Sequence, residues 1–174
     1  MIETARLLLR PPEPRDFEAL HAMWSDPEVM RDLGPIKTTA NSRATITRHL
    51  DYGPSHGLGF HVVERREDGA VLGFCGLKPG APDTPIDGEL EIGWMFARAH
   101  WGKGYAREAA AASLAWAWAN REEPRVVAIT SASNLASRAL MERLGMAWFV
   151  DFDHPVHPQG HRLRASVAFA IDRP

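Results

Sequence analysis

The chain is poor in the residues on which several chemistries depend. Among its 174 residues it has one cysteine, Cys75, and two tyrosines, Tyr52 and Tyr105. A single thiol excludes an intrachain disulfide framework and a cysteine-based zinc site. No charge of one sign dominates either: 20 Lys plus Arg stand against 22 Asp plus Glu, a formal net charge of -2. That lacks the basic excess a broad nucleic-acid surface needs. No apolar run approaches the ~20 residues of a membrane span. The opening Met1-Ile2-Glu3-Thr4-Ala5-Arg6 has no basic stretch ahead of an apolar core, so no secretory signal is expected. Together these absences predict a cytoplasmic protein with neither nucleic acid nor membrane as a partner.

What is there suits one domain spanning residues 1–174. The composition, 45% hydrophobic and 24% charged, is that of an ordinary globular chain, and a chain of this length buries roughly 70% of its unfolded surface without staples. Neither an internal repeat nor a low-complexity linker divides it.

Arg6-Leu7-Leu8-Leu9-Arg10, stopped by Pro11-Pro12, predicts a first strand. Phe17, Leu20 and Trp24 have helical spacing after Pro14, and Asp26-Pro27 ends that helix. A second amphipathic helix is expected over residues 40–50. Strands over 59–64 and 70–77 flank Arg65-Arg66-Glu67-Asp68-Gly69, a hairpin signal. Residues 78–88 hold three prolines and two glycines and read as a loop. A strand over 89–97, a long alanine-rich helix over 105–120, a strand over 126–130, a helix over 135–144 and strands over 147–152 and 162–171 complete a mixed α/β order with at least one crossover.

The most informative stretch is Glu91-Ile92-Gly93-Trp94-Met95-Phe96-Ala97-Arg98-Ala99-His100-Trp101-Gly102-Lys103-Gly104-Tyr105-Ala106. A strand ends, a glycine turn follows, and a helix begins. Gly102 and Gly104 remove Cβ atoms where the backbone turns tightly. The amides from Lys103 to Ala106 would then point out of a helix N-terminus, where free donors and the dipole favour an anion, with phosphate the natural guest. The Lys103 side chain could add a charge or turn to water. The stretch has neither the Walker spacing nor a dinucleotide fingerprint, and a glycine turn before a helix is a sufficient structural reading of these residues on their own.

Gly102-Lys103-Gly104-Tyr105-Ala106 resembles the acetyl-CoA signature of the GNAT N-acetyltransferases, usually Gln/Arg-x-x-Gly-x-Gly/Ala. Trp101 stands at the Gln/Arg position, as is common in the RimJ/RimL-like branch. Thr4-Ala5-Arg6-Leu7-Leu8-Leu9-Arg10 with Pro14-Arg15-Asp16 is similar to that branch's opening strand and helix. Glu91-Ile92-Gly93-Trp94 resembles its central strand, and Asn134-Leu135-Ala136-Ser137-Arg138 with Leu144-Gly145-Met146 resembles its last helix. The resemblance implies an α/β (α+β) GNAT fold: a mixed, mostly antiparallel sheet of six to seven strands splayed at the centre, flanked by about four helices. It implies an enzyme that moves the acetyl group of acetyl-CoA directly to a primary amine, either a protein N-terminus or a small molecule. A non-catalytic module that senses acyl-CoA is the alternative, and the chain could be a monomer or a homodimer.

By the same resemblance, pantetheine pairs with the backbone of Trp94 and Phe96 beside a bulge in that strand. The thioester carbonyl meets an amide near Met95, the pyrophosphate sits on amides from Trp101 to Ala106, and Asn134 hydrogen-bonds the cofactor. Asn134 is equally a good helix N-cap. Glu89 and Glu91 alternate with Leu90, Ile92, Trp94 and Phe96, so both carboxylates face one side of the strand. Glu91, nearer the thioester, is the first candidate for the general base, relaying a proton through water. Glu89 is the second, and a structural ion pair is the competing reading for both.

The tyrosine that often serves as acid in this family is replaced by Met141. Ser137, proposed as the acid in the RimJ/RimL-like branch, could instead only satisfy first-turn amides. Cys75 is expected in the core. His154, His157 and His161 share a loop in which acceptor contact outweighs metal binding, and no metal is expected. The acceptor pocket should draw on the first two helices and the loops over 78–88 and 154–161, with Glu28, Asp32 and Asp87 attracting a cationic amine.

Overall fold

The computed structural model describes residues 1–174. Its eight strands are β1 (Ile2–Glu3), β2 (Leu7–Arg10), β3 (Gly59–Arg65), β4 (Val71–Pro79), β5 (Leu90–Phe96), β6 (Arg125–Ser131), β7 (Ala147–Asp153) and β8 (Ala165–Asp172). The helices are α1 (Phe17–Ser25), α2 (Pro27–Met30), α3 (Thr39–His56), α4 (Tyr105–Asn120) and α5 (Leu135–Arg143). Single 3-10 turns stand at Pro14–Asp16 and Arg98–His100.

The counts exceed the expected six to seven strands and about four helices by one short element of each kind. Strand β1 is two residues long, pairing Ile2 with Leu9 and Glu3 with Leu8, too short to show any period of its own. Helix α2 is a single turn. The Asp26 side chain accepts from Glu28 N at 2.9 Å and Pro27 takes the first helical position, so Asp26-Pro27 both ends one helix and starts the next. Helix α3 outruns its expected end at residue 50. Pro54 sits inside its last turns, and Gly57, in the left-handed region at φ 66, closes it.

The sheet order is β1-β2-β3-β4-β5-β6-β8-β7. Every neighbouring pair is antiparallel except β5 with β6. Helix α4 covers one face, where Ala109, Ala110 and Ala117, all fully buried, allow a close approach to Leu7, Leu9, Ile92 and Phe96. Helices α1 and α2 cover the other face with Leu20, Trp24 and Val29 against Phe60, Val62 and Phe74. The connection from β5 through α4 to β6 is the crossover that makes β5 and β6 parallel. At the start of the chain, buried Arg10 is held by both Asp16 oxygens at 2.7 Å and by Glu64 Oε2 at 2.6 Å, so β2, β3 and the turn before α1 share one charge network. No helix is long and apolar enough to cross a membrane.

Candidate active site

Strands β5 and β6 pair only at Leu90 with Val126 and Glu91 with Val127. Beyond that point β6 stays on β8 through Ser131, while β5 stays on β4 through Phe96. The sheet therefore opens into a V whose inner edge is unpaired β5 backbone. The closed end is clamped by Arg125, whose Nε and Nη2 each donate to a Glu89 oxygen at 2.6 Å.

Alternation along β5 fixes which groups face the opening. Gly80 N donates to Glu89 O and Ala97 N donates to Leu72 O, one at each end of the strand. The β4–β5 register between them is continuous. Odd-numbered residues therefore turn their backbone toward β4, and Trp94 and Phe96 turn theirs into the V. This corrects one expectation, since no bulge interrupts β5; the Met95 amide itself faces β4. The donors facing the opening are the amides of Trp94 and Phe96. The Phe96 carbonyl is already taken, accepting from Trp101 Nε1 at 2.7 Å.

The glycine turn closes one end of this cleft. Gly102 and Gly104 lie at φ 71 and 79, and Gly104 is the N-cap of α4. Trp101 N donates to Arg98 O, whereas the amides from Gly102 to Arg107 donate to no acceptor in the protein. These are the free donors of a helix N-terminus, with two positions where no side chain stands in the way. Lys103 contributes its peptide alone, because its Nζ turns back to Ala99 O at 2.9 Å.

The resulting cleft is about 630 Å³. It is lined by Trp94, Met95, Phe96, Trp101, Gly102, Gly104, Tyr105 and Ala106 on one side and by Asn134 and Ser137 on the other. Asn134 Oδ1 accepts from Ser137 N at 3.1 Å as the cap of α5. Its Nδ2 has no partner in the protein, so capping and ligand contact use different ends of one amide. The half-buried Ser137 hydroxyl makes no hydrogen bond within the chain and is not spent on first-turn amides. Met141 is packed in the core.

The two strand carboxylates stand outside that lining. Glu91 is buried, and its Oε2 accepts from Lys78 Nζ and from Ala81 N at 3.1 Å. Burial pushes its pKa up, against the pull of Lys78. Glu89 has both oxygens engaged by Arg125. Cys75 is fully buried, and burial pushes its thiol up to about 12, leaving an inert core residue.

On the acceptor side the expected acids are largely neutralised. Glu28 pairs with Arg31 at 3.0 Å. Asp32 accepts from Ser133 Oγ at 2.8 Å and pairs with Arg162 at 3.4 Å, and its carbonyl accepts from Ser131 Oγ at 3.1 Å. Asp32 thus ties the turn after α2 across the cleft mouth to the β6–α5 loop and the β7–β8 loop. Asp87 only accepts from Asp83 N at 3.1 Å. His157 and His161 stack with ring centroids 4.6 Å apart, and no group of three or more His, Cys, Asp or Glu is arranged to hold a metal ion. The sequence reading missed Leu33, Leu135, Arg107 and Arg143 in the cleft lining. Arg107 shares the first turn of α4 with the glycines and could have been included on that ground. Leu33 and Leu135 are brought together only by the fold and carry no local signal.

A splayed parallel pair beside a helix N-terminus with free amides makes a cleft suited to an extended ligand that ends in an anionic group. Residues 6–147 match the family model of the acetyltransferase (GNAT) domain, and the chain belongs to that family. It is an acyltransferase with acetyl-CoA as co-substrate. YkkB of Bacillus subtilis (strain 168) is 33% identical to it over 144 residues, 82% of this chain and 83% of that one. The N-acetyltransferase YnaD of the same organism is 30% identical over 146 residues, 83% and 81% of the two chains. The crystal structure of a GNAT-family acetyltransferase from Bacillus anthracis superposes with a TM-score of 0.82 at 26% identity, covering 99% of this chain and 98% of that one.

Proposed function

We propose that this chain, acting as one domain over residues 1–174 in the cytoplasm, transfers the acetyl group of acetyl-CoA directly to a primary amine in a ternary complex. The acceptor is a protein N-terminus or a small molecule, and the motifs favour the RimJ/RimL-like branch. One observation carries the reading: an unpaired β5 edge lies in the same cleft as the free amides from Gly102 to Arg107. A thioester supplies an acyl carbon open to attack by an unprotonated amine. The amides of the glycine turn hold the donor's phosphates, and Trp94 and Phe96 offer the strand edge to its amide arm. Asn134 Nδ2 donates from the opposite wall.

The Ser137 hydroxyl is the proposed acid for the departing thiolate, since it reaches the cleft without a partner of its own. Glu91 is the proposed base, acting through water, ahead of Glu89. Burial raises its affinity for a proton above that of an ordinary carboxylate, whereas Glu89 is bound on both oxygens. Glu91→Gln should remove the lower limb of the kcat/KM pH profile, a limb placed above the ordinary value of 4.5 by the direction of that shift. An unchanged profile removes the assignment.

Met141, buried where the family usually has a tyrosine, favours a second reading, a non-catalytic acyl-CoA sensor. The deciding experiment measures the thermal midpoint with acetyl-CoA, CoA and ATP, followed by thiol release over a panel of amines. A ligand at about 100 times its Kd adds roughly 2.7 kcal/mol. Stabilisation by both CoA species with thiol release supports the enzyme, stabilisation without release supports the sensor, and no stabilisation removes both.

A further inference from the structure

The glycine turn is held from outside the cleft by the start of the chain. Arg6 immediately precedes β2 and is not part of the cleft lining. Its Nη1 donates to Lys103 O at 3.0 Å, and its Nε donates to Glu108 Oε2 at 2.6 Å. Its guanidinium lies 4.6 Å from the centroid of the Tyr105 ring. A Cβ placed on Gly104 would meet Arg6 Nη2 at 3.5 Å, so the side chain packs against Gly104 itself. Glu108 is fixed in turn, accepting from Thr4 Oγ1 at 2.6 Å and from Arg6 N at 3.1 Å.

The orientation of one peptide follows. The chain has no cis peptide bond, and a trans peptide points its C=O and N–H in opposite directions. With Lys103 O drawn to Arg6, the Gly104 N–H turns away from Arg6, and Gly104, unlike Arg6, lines the cleft. Gly102 and Gly104 cannot hold this plane by themselves, because glycine has wide backbone freedom and loses the most entropy on being ordered. A turn of glycines that must be preorganised for an anion therefore needs an external clamp.

We propose that Arg6 is a positioning residue for the donor site: clamped to Glu108 and holding the Lys103 carbonyl, it orients the Gly104 amide toward the donor's phosphates without touching the donor. This rests on the acetyl-CoA reading above. The test compares two ligands that share the same amide arm, CoA and pantetheine, the second having no phosphate. Their Kd values are measured by calorimetry and by NMR titration on the wild type, Arg6→Ala and Arg6→Lys, with the thermal midpoint of each free protein.

Loss of one oriented, charge-linked donor should weaken CoA binding roughly ten- to a hundredfold in Arg6→Ala and leave pantetheine binding unchanged. Arg6→Lys keeps a cation beside Glu108 but loses the rigid fork whose separate nitrogens reach Glu108 Oε2 and Lys103 O. It should retain the wild-type midpoint and still lose CoA affinity, which separates positioning from folding if the alanine variant fails to fold. Equal weakening of both ligands, or an unchanged CoA Kd in Arg6→Lys, overturns the proposal while wild-type CoA binding leaves the function intact. A wild type that binds neither ligand overturns the function and the clamp together.

Discussion

The two sides of the cleft are built from different parts of the chain's chemistry. On the proposed donor side the free polar groups are peptide amides: those of Trp94 and Phe96 on an unpaired strand edge, and those from Gly102 to Arg107 ahead of α4. On the facing side the polar groups are charged side chains already paired with one another, Glu28 with Arg31 and Asp32 with Arg162, while Glu91 and Lys78 pair across β4 and β5 outside the lining. A backbone site is specified by where side chains are missing and where a ladder stops. A side-chain site is specified by which distant charges meet. Under the proposed function, the first would read a chemical feature common to all CoA thioesters.

The largest loss is expected at Lys78. Lys78→Met leaves Glu91 buried without its cation, which should cost about 3–5 kcal/mol of stability, read as a drop in the urea midpoint. The sign with pH is fixed by burial: Glu91's pKa is already pushed above its ordinary 4.5, and losing Lys78 pushes it further. The deficit should therefore shrink as pH falls toward that ordinary value and grow above it. Lys78→Met combined with Glu91→Leu should recover most of the loss. If it does not, the join between β4 and β5 is not held by this pair.

Gly104→Val probes the donor side. A β-branched residue at φ 79 is strained by roughly 2–3 kcal/mol, and relief of that strain would turn the amides. CoA should then give little or no thermal stabilisation, while the free protein loses stability by no more than the strain. Full CoA stabilisation in this variant would show that the donor is not read by the glycine turn.

Asn134→Asp tests the opposite wall. Aspartate caps a helix as well as asparagine does, so stability should hold, but the Nδ2 donor is gone and CoA affinity should fall roughly tenfold. A loss of stability without a loss of affinity would reduce Asn134 to a cap. Ser137→Ala should be the smallest change to the molecule, within about 0.5 kcal/mol in stability, with CoA Kd unchanged and kcat lowered. An unaltered kcat removes Ser137 as the acid.

Much of the donor side was legible because its signals are local. Gly102 and Gly104 before an alanine-rich run announce a turn and a helix start within a few residues, and the run of Glu91 to Phe96 announces a strand leading into it. Asn134 three residues ahead of Ser137 announces a cap. The missing signals were of two kinds. Strand β1 and helix α2 are too short for any periodicity to register. The direction of the Met95 amide depends on the phase of the β4–β5 ladder, which is set by pairing with β4 and not by anything in β5 itself.

By itself, then, the order of residues determined the elements of more than one turn, their α/β order and the backbone cradle, because each rests on contacts within a few residues along the chain. Only the tertiary structure decided that β5 and β6 part after two pairs, that Glu89 serves Arg125 and Glu91 serves Lys78, and that Arg6 reaches across to Lys103 and Glu108. Those contacts join residues 13 to 102 positions apart. Their partners are chosen by which strands lie side by side, and no local pattern of charge or apolar spacing records that choice.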